Sequence, residues 1–198
     1  MQYSPLSHRI FQFVRFFLMA VLAAGAVGLR AQPAAAPDTA TVEFVTTYKL
    51  GPGDIITIRV LDEPELTIEK VRVSDIGTLP MPAVGEINVL GRTISEVEGT
   101  VVDKLKGRIL INPKVSVLIE EYRPFFINGM VDKPGGYPFQ PGLTVRKAAA
   151  LAGGFKERAS LKKIFLIREK DKTQTPVNVD LNTPVLPGDI VTVEESFF

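Results

Sequence analysis

A turn-and-strand motif that occurs twice in the chain constrains its fold more than any other feature of the sequence. Segment 50–58 reads LGPGDIITI, and segment 186–193 reads LPGDIVTV. Proline presets the first torsion of a turn and glycine accepts a positive φ, so each Pro-Gly-Asp sequence predicts a tight turn. The alternating run of β-branched residues that follows predicts a strand with one buried face. The first motif is expected to open one β-rich unit, and the second is expected to close another.

The alternation in these two runs assigns residues to opposite faces of each strand. The residues expected to face inward are Ile56, Ile58, Val60, Val191 and Val193. Thr57 and Arg59 are expected to face outward, because successive strand residues point to opposite sides. The aspartates of the two motifs, Asp54 and Asp189, are expected to form hydrogen bonds within their turns rather than to take part in catalysis.

Further strands and two helices complete the predicted elements. The other predicted strands cover residues 71–73, 115–120, 126–131, 164–168 and 177–181. Thr93 and Glu96 have the spacing of a capping box, which predicts a helix that extends to about Lys106. A second, shorter helix is predicted for residues 145–152, with Thr144 as its N-cap and Gly153 at its end.

These elements predict an α+β protein made of two small β-rich domains, each with one main helix. Residues 48–122 form the first predicted domain and residues 123–198 the second, with the joint at Arg123. Each predicted core is small, and small domains bury a low fraction of their surface. Packing of the halves against each other, or oligomerisation, is therefore expected.

The N-terminal segment has the pattern of an export signal. Arg9 and Arg15 form a basic lead, and the uncharged segment 16–29 (FFLMAVLAAGAVGL) follows. This apolar run is shorter than the roughly 20 residues of a membrane-spanning helix. The pattern predicts a secretory signal peptide over residues 1–31 with cleavage near Ala31. The alternative is an uncleaved N-terminal anchor, and residues 32–47 are predicted to be a flexible leader.

Composition excludes several classes of function. The chain has 23 Lys and Arg against 22 Asp and Glu, whereas nucleic-acid binding is typical of a strongly basic protein. It has no cysteine, and its one histidine, His8, lies in the predicted signal peptide. The mature protein would therefore have no Ser-His or Cys-His nucleophile and no His- or Cys-ligated zinc. No catalytic residue, cofactor or metal is predicted.

One group of acidic residues leaves a carbohydrate-active enzyme open as an alternative. Asp62, Glu63 and Glu65 lie close together in the sequence around a proline. A glycosidase uses two carboxylates that face each other across the sugar. Sequence neighbours on one loop rarely face each other in this way, so a solvated turn is the favoured interpretation.

The chain also resembles a known family in several blocks that occur in the expected order. In the first half these blocks are 48–54 (YKLGPGD), 64–67 (PELT), 73–80 (VSDIGTLP), 84–87 (VGEI), 90–93 (LGRT) and 112–115 (NPKV). In the second half they are 129–131 (GMV), 133–137 (KPGGY), 143–145 (LTV), 152–154 (AGG) and 186–189 (LPGD). The first half resembles the export domain of the polysaccharide export family, and the second resembles its SLBB domain, a soluble-ligand-binding β-grasp module.

The resemblance implies a non-enzymatic role in the secretion of capsule or exopolysaccharide. Members of the family form oligomeric rings that conduct the polymer, and they work with an inner-membrane co-polymerase that carries a tyrosine-kinase part. Larger members have a lipidated cysteine and a C-terminal helix that builds the outer-membrane pore. This chain is expected to be a short form without that helix. It is expected to be a periplasmic homo-oligomer, associated with the outer membrane, that docks to a separate outer-membrane barrel protein.

Three residues are candidates for contact with the polymer: Arg72 and Asp75 in the first half and Tyr137 in the second. A polar lumen with many weak contacts suits a polymer in transit better than a deep pocket does. The alternative to an export role is a monomeric periplasmic module that binds a small soluble ligand through its β-grasp half.

Overall fold

The computed structural model describes residues 39–196, and within this range the chain has an α+β fold with three helices and ten strands. The predicted fold class is confirmed. The predicted signal peptide over residues 1–31, its cleavage near Ala31 and residues 32–38 of the predicted leader lie outside the described residues.

The first described element is a helix, α1 (Thr39–Thr47), in a segment where the sequence favours a flexible leader. The backbone N–H of Tyr48 donates to the carbonyl oxygen of Phe44 at 2.8 Å, which closes the last turn. Phe44 is half-buried and packs against both hydrophobic cores of the protein. The Ala-, Pro- and Thr-rich composition of residues 32–47 concealed this helix, because the contacts of Phe44 are made with residues distant in the sequence.

The first half is built on a three-stranded antiparallel sheet, with a separate hairpin and one main helix. Its elements are β1 (Ile55–Val60), a 3-10 turn (Pro64–Leu66), β2 (Ile68–Arg72), β3 (Thr78–Met81), β4 (Gly85–Asn88), α2 (Ile94–Leu105) and β5 (Val115–Glu121). The sheet has the order β2-β1-β5, and β3 pairs with β4. The first Pro-Gly-Asp motif thus opens the central strand of the sheet.

Alternation along β1 builds the first core. Ile56 and Ile58 are fully buried and Val60 is 4% exposed, as the sequence predicts. Thr57, predicted to lie on the opposite face of the strand, is also buried. The register of β1 against β2 shifts between Ile56 and Ile58, and the Thr57 hydroxyl there accepts a hydrogen bond from the Lys70 backbone N–H at 3.1 Å. The irregular pairing therefore covers a polar side chain and gives it a partner.

The capping box at the start of α2 is confirmed. The Thr93 hydroxyl accepts from the Glu96 N–H at 3.3 Å, and the Glu96 carboxylate accepts from the Thr93 N–H at 2.7 Å. Val97, Val101 and Leu105 form an apolar stripe along α2 that is fully buried.

The second half is a five-stranded mixed sheet that packs on a short helix. Its elements are β6 (Phe125–Gly129), β7 (Gly135–Tyr137), α3 (Val145–Leu151), β8 (Ala159–Ile167), β9 (Val177–Asn178) and β10 (Ile190–Glu195). The order is β7-β6-β10-β8-β9, and β6 and β10 form the parallel pair at its centre. Thr144 caps α3 as predicted, and Ala148 and Ala149 are buried, so the helix lies close to the sheet.

Candidate functional site

The two Pro-Gly-Asp turns have the same internal geometry. The Asp54 carboxylate accepts from the Gly51 N–H at 2.9 Å, and the Asp189 carboxylate accepts from the Leu186 N–H at 2.7 Å. Both aspartates are buried. The predicted hydrogen bonding of Asp54 and Asp189 within their turns is confirmed, and burial adds a requirement for a counter-charge.

An arginine supplies that counter-charge in each turn. Arg168, at the end of β8, donates to the Asp189 carboxylate at 2.5 Å. Burial raises the pKa of Asp189, against the opposing effects of the Leu186 N–H and the Arg168 charge. In the first turn, Arg123, two residues after β5, donates to the Asp54 carboxylate through its backbone N–H at 2.8 Å and its Nη1 at 3.0 Å.

Arg123 joins the two halves through a set of four side chains, Tyr48, Asp54, Arg123 and Glu169, which we call the joint cluster. Its Nη1 donates to the Tyr48 hydroxyl at 2.6 Å, and that hydroxyl donates to Asp54 at 2.8 Å. Its Nε donates to the Glu169 carboxylate at 2.8 Å, and Nη2 donates to the same carboxylate. Arg123 is 8% exposed, so one buried guanidinium bridges an acid of each half.

The surroundings of the joint cluster shift its proton equilibria. Burial raises the pKa of Tyr48 far above its ordinary value, and the adjacent Asp54 carboxylate adds to this effect. Burial alone would lower the pKa of Arg123, but the hydrogen bonds to Glu169 and the nearby negative groups outweigh it and raise that pKa. The phenol is therefore held protonated and the guanidinium charged, which suits a permanent structural contact.

Three aromatic rings, those of Phe44, Tyr122 and Phe139, pack around Tyr48 of the joint cluster. The Phe44 ring centroid lies 5.3 Å from those of Tyr48 and Phe139 and 5.7 Å from that of Tyr122. Tyr122 meets Tyr48 and Phe139 edge to face, at 5.0 and 5.4 Å. Edge-to-face contacts of this kind add to the stabilisation from apolar burial. Among the described side chains of residues 43–196, every buried polar atom has a hydrogen-bond partner.

The structure places the three predicted polymer-contact residues at separate positions. Arg72 is exposed at the end of β2 and donates to the Gly53 carbonyl oxygen at 3.1 Å, while Asp75 is exposed in the turn that follows. Tyr137 is half-buried on β7, where its ring stacks on that of Phe125 and its hydroxyl donates to the Lys133 carbonyl oxygen at 2.6 Å. Their contact with a polymer stays a prediction.

The acidic group of the first half lies on an open surface cleft. Asp62 and Glu63 line this cleft of about 670 Å³, together with residues such as Arg59 and Thr67. Asp62 and Glu65 are exposed, and the 3-10 turn begins directly after Glu63. The arrangement matches the solvated turn favoured by the sequence.

Two further features are absent from the described part of the chain. No group of three or more His, Asp or Glu side chains in residues 39–196 is arranged to hold a metal ion. Over the same range, none of the helices has both the length and the apolar character needed to cross a membrane.

Sequence reasoning missed most of the joint cluster. Asp54 and Arg123 are 69 residues apart, and Arg123 and Glu169 are 46 apart. Local patterns carry no information on such pairings. One signal was available: an arginine, Arg123, lies at the predicted joint. It could have indicated a charged partner for Asp54, whose hydrogen bonds were expected to be formed within its own turn.

Comparison with known proteins now adds to this geometry. Residues 43–120 match the family described as polysaccharide biosynthesis/export protein, and residues 124–178 match the SLBB domain. The chain therefore belongs to the polysaccharide biosynthesis/export family and carries an SLBB domain, which confirms the resemblance seen in the sequence.

The chain is also similar to individual proteins that are named for polysaccharide production or export. The exopolysaccharide production protein ExoF of Rhizobium meliloti (strain 1021) is 34% identical over 157 residues, which cover 73% of this chain and 34% of that protein. Two proteins named EPS I polysaccharide export outer membrane protein EpsA, from Ralstonia solanacearum and Ralstonia nicotianae (strain ATCC BAA-1114 / GMI1000), are 29% and 28% identical over 134 residues. Each match covers 55% of this chain and 35% of the relative. The chain thus spans about a third of the length of these curated relatives.

Proposed function

We propose that this protein is a non-enzymatic component of a machine that exports capsule or exopolysaccharide. The observation that carries the proposal is the match of consecutive parts of the chain to the export family and the SLBB domain. The names of ExoF and EpsA, which refer to exopolysaccharide production and export, support it. The saturated hydrogen bonding at the joint also favours a scaffold over a catalyst.

The finer proposal is that the protein works in the periplasm next to the outer membrane, as a homo-oligomer that forms a conduit or adaptor for the polymer. An outer-membrane barrel protein and an inner-membrane co-polymerase with a kinase part are its proposed partners. Residues 48–122 and 123–198 are the proposed domains. Each has its own hydrophobic core, and Phe44 and Tyr122 pack against both cores.

Deletion of the gene tests the export role. We expect secreted and surface polysaccharide to fall to background and to return when the gene is restored on a plasmid. Unchanged polysaccharide in the deletion strain would contradict the proposal.

Light scattering on the purified protein tests the proposed homo-oligomer, because it measures the molecular mass in solution. A monomer whose melting temperature is raised by one small sugar would instead indicate a ligand-binding module.

A double variant of the acidic group tests the absence of catalysis. The double variant D62N/E65Q removes two carboxylates from the acidic group but keeps its shape. We expect export in the complemented strain to stay at the wild-type level. Cleavage of the polymer by the purified wild-type protein, lost in this double variant, would show an enzyme instead.

A further inference from the structure

The sheet of the second half has two faces of different character. Its inner face carries Phe125, Ile127, Val191, Val193, Ile164 and Leu166, all buried in the second core with α3. Its opposite side, which we call the outer sheet face, carries Phe126, Phe165, Ile167 and Ile190. These four belong to neither hydrophobic core of the described residues. Phe126 is 44% exposed.

Strand register arranges the outer sheet face in two rows that run across the strands. The first row contains Gly136, Phe126, Ile190 and Ile167. The second row contains Asn128, Thr192, Phe165 and Asn178. One row is therefore wholly apolar, the next places two amides and a hydroxyl around an aromatic ring, and neither row holds a charged side chain.

Glycine sets the position of the Phe126 ring. A Cβ atom at Gly136 would lie 2.9 Å from Cε1 and 3.2 Å from Cδ1 of Phe126. The side of the ring therefore rests over the glycine on β7 instead of standing clear of the sheet. A ring that leans on the neighbouring strand in this way broadens the apolar surface offered to solvent.

The spacing of Phe126 and Phe165 suits two binding subsites along one sugar chain. Phe126 and Phe165 lie on β6 and β8, the strands on either side of β10. Strands in a sheet are about 4.8 Å apart and residues rise about 3.3 Å along a strand, and Phe165 lies one row away from Phe126, so the two side chains are separated by roughly 12 Å. Two sugar rings with one further ring between them lie about this far apart in an extended chain.

The chemistry of the two rows favours a sugar chain over a protein surface. An aromatic face carries negative potential, which attracts the C–H groups on the flat side of a pyranose. Covering the second row requires partners for the Asn128 amide and the Thr192 hydroxyl. The Asn178 Nδ2 already donates to the Lys162 carbonyl oxygen at 3.1 Å, which leaves its oxygen as an acceptor. Sugar hydroxyls both donate and accept, and so can satisfy the whole row.

We propose that the outer sheet face is a binding surface for the exported polysaccharide, with pyranose rings stacked on Phe126 and Phe165 and hydroxyls bound by the second row. This inference rests on the proposed function for the identity of the polymer. The next outward positions beyond the second row, Lys163 on β8 and Glu194 on β10, are exposed and carry opposite charges. An open surface without a deep pocket gives weak contacts, which let the chain slide. The surface is distinct from Tyr137, which pairs with Phe125 on the inner side of the sheet.

Affinity electrophoresis of the full chain tests this surface, with exopolysaccharide purified from the strain that carries the gene as the probe cast into a native gel. We expect the polymer to retard the wild-type protein. F126A and F165A should each bind about threefold to tenfold more weakly, as befits the loss of one aromatic contact. N128A, at an exposed position that leaves the core intact, should also weaken binding. The matched control is L118A on β5 of the first half, where Leu118 is 45% exposed.

Each outcome has a distinct meaning. Equal retardation of F126A, F165A, N128A and wild type would overturn the inference, as would no retardation of the wild-type protein. A change in the molecular mass of F126A in light scattering, with unchanged retardation, would make the face a contact between copies and would also overturn it. Gene deletion separates the two proposals. If deletion stops export but the polymer does not retard the wild-type protein, only the proposed binding surface is refuted.

Discussion

At the scale of single residues, the joint depends on one arginine. Arg123 is the counter-charge of Asp54, whose side chain is fully buried. Removing one partner of a buried ion pair leaves the other charge without compensation, which costs far more than the pair itself contributes. The Tyr48 hydroxyl and the backbone N–H groups of Gly51 and residue 123 would remain as donors to Asp54, but none of them carries a charge.

We therefore expect Arg123→Met to lower the free energy of unfolding by about 3–5 kcal/mol. Urea denaturation followed by circular dichroism measures this loss. The control is Arg158→Met, because Arg158 is 70% exposed and pairs with Glu195 at the surface. Exposed pairs contribute about 0–1 kcal/mol, and equal losses in the two variants would show that the joint cluster is not a buried ion pair in solution.

The residue scale is also where sequence reasoning stopped short. The turn role of Asp54 followed from Pro-Gly-Asp alone, because the hydrogen bond to Gly51 is local. Its burial under Arg123 and its contact with Tyr48 depend on how two distant segments meet. The sequence pattern predicted a turn with its own internal hydrogen bond. The structure adds that Asp54 in this turn binds Arg123, which also binds Glu169 of the second half.

At the scale of elements, α2 offers a test of its N-terminal cap. The backbone N–H of Thr93 lowers the pKa of Glu96, so the carboxylate is better stabilised when charged in the folded protein. A lowered pKa in the folded state gives stability that is present above the unfolded pKa and is lost as the pH falls through the folded pKa. The contribution of Glu96 should therefore disappear in acid.

We expect Glu96→Gln to be less stable than wild type at neutral pH and to approach it as the pH falls below about 4. Thr93→Ala should lose about 1 kcal/mol, the usual loss for an N-cap threonine. Ser95→Ala, one helical position beyond Ile94 and exposed, should change stability by less than about 0.5 kcal/mol. Urea unfolding across the acid range measures all three, and a constant gap between Glu96→Gln and wild type would contradict the expected role of charge.

Elements with strong local signals were predictable, whereas elements fixed by tertiary contacts were not. The capping box, the alternation of β1 and the run that became β5 all follow from nearest neighbours in the sequence. The hairpin of β3 and β4 was missed because Pro80 and Gly85 interrupt the strand pattern. Strand β7 was missed for a similar reason, since Gly135 and Gly136 make up most of it.

At the scale of the whole molecule, shared packing at the joint should couple the unfolding of the two halves. Phe44 and Tyr122 each pack against both cores, and Arg123 binds an acid of each half. We expect one calorimetric transition in which the van't Hoff enthalpy equals the calorimetric enthalpy.

The variant Phe44→Ala should reduce this coupling, so that the van't Hoff enthalpy falls below the calorimetric enthalpy. Phe155→Ala is the matched control, because Phe155 packs against the second core alone. It should lower the melting temperature and keep the two enthalpies equal. Two separate transitions in the wild-type protein would show that the halves unfold independently.

The order of the chain around Arg123 has a practical consequence for dissecting the protein. A fragment that stops at Tyr122, the proposed end of the first domain, would keep the buried Asp54 carboxylate and discard both the guanidinium that neutralises it and the backbone N–H that donates to it. Such a truncation would strip an anion of its salt partner inside a small apolar core. An expression boundary placed a few residues later, beyond Arg123, would retain that pairing and is the better starting point for isolating the first half.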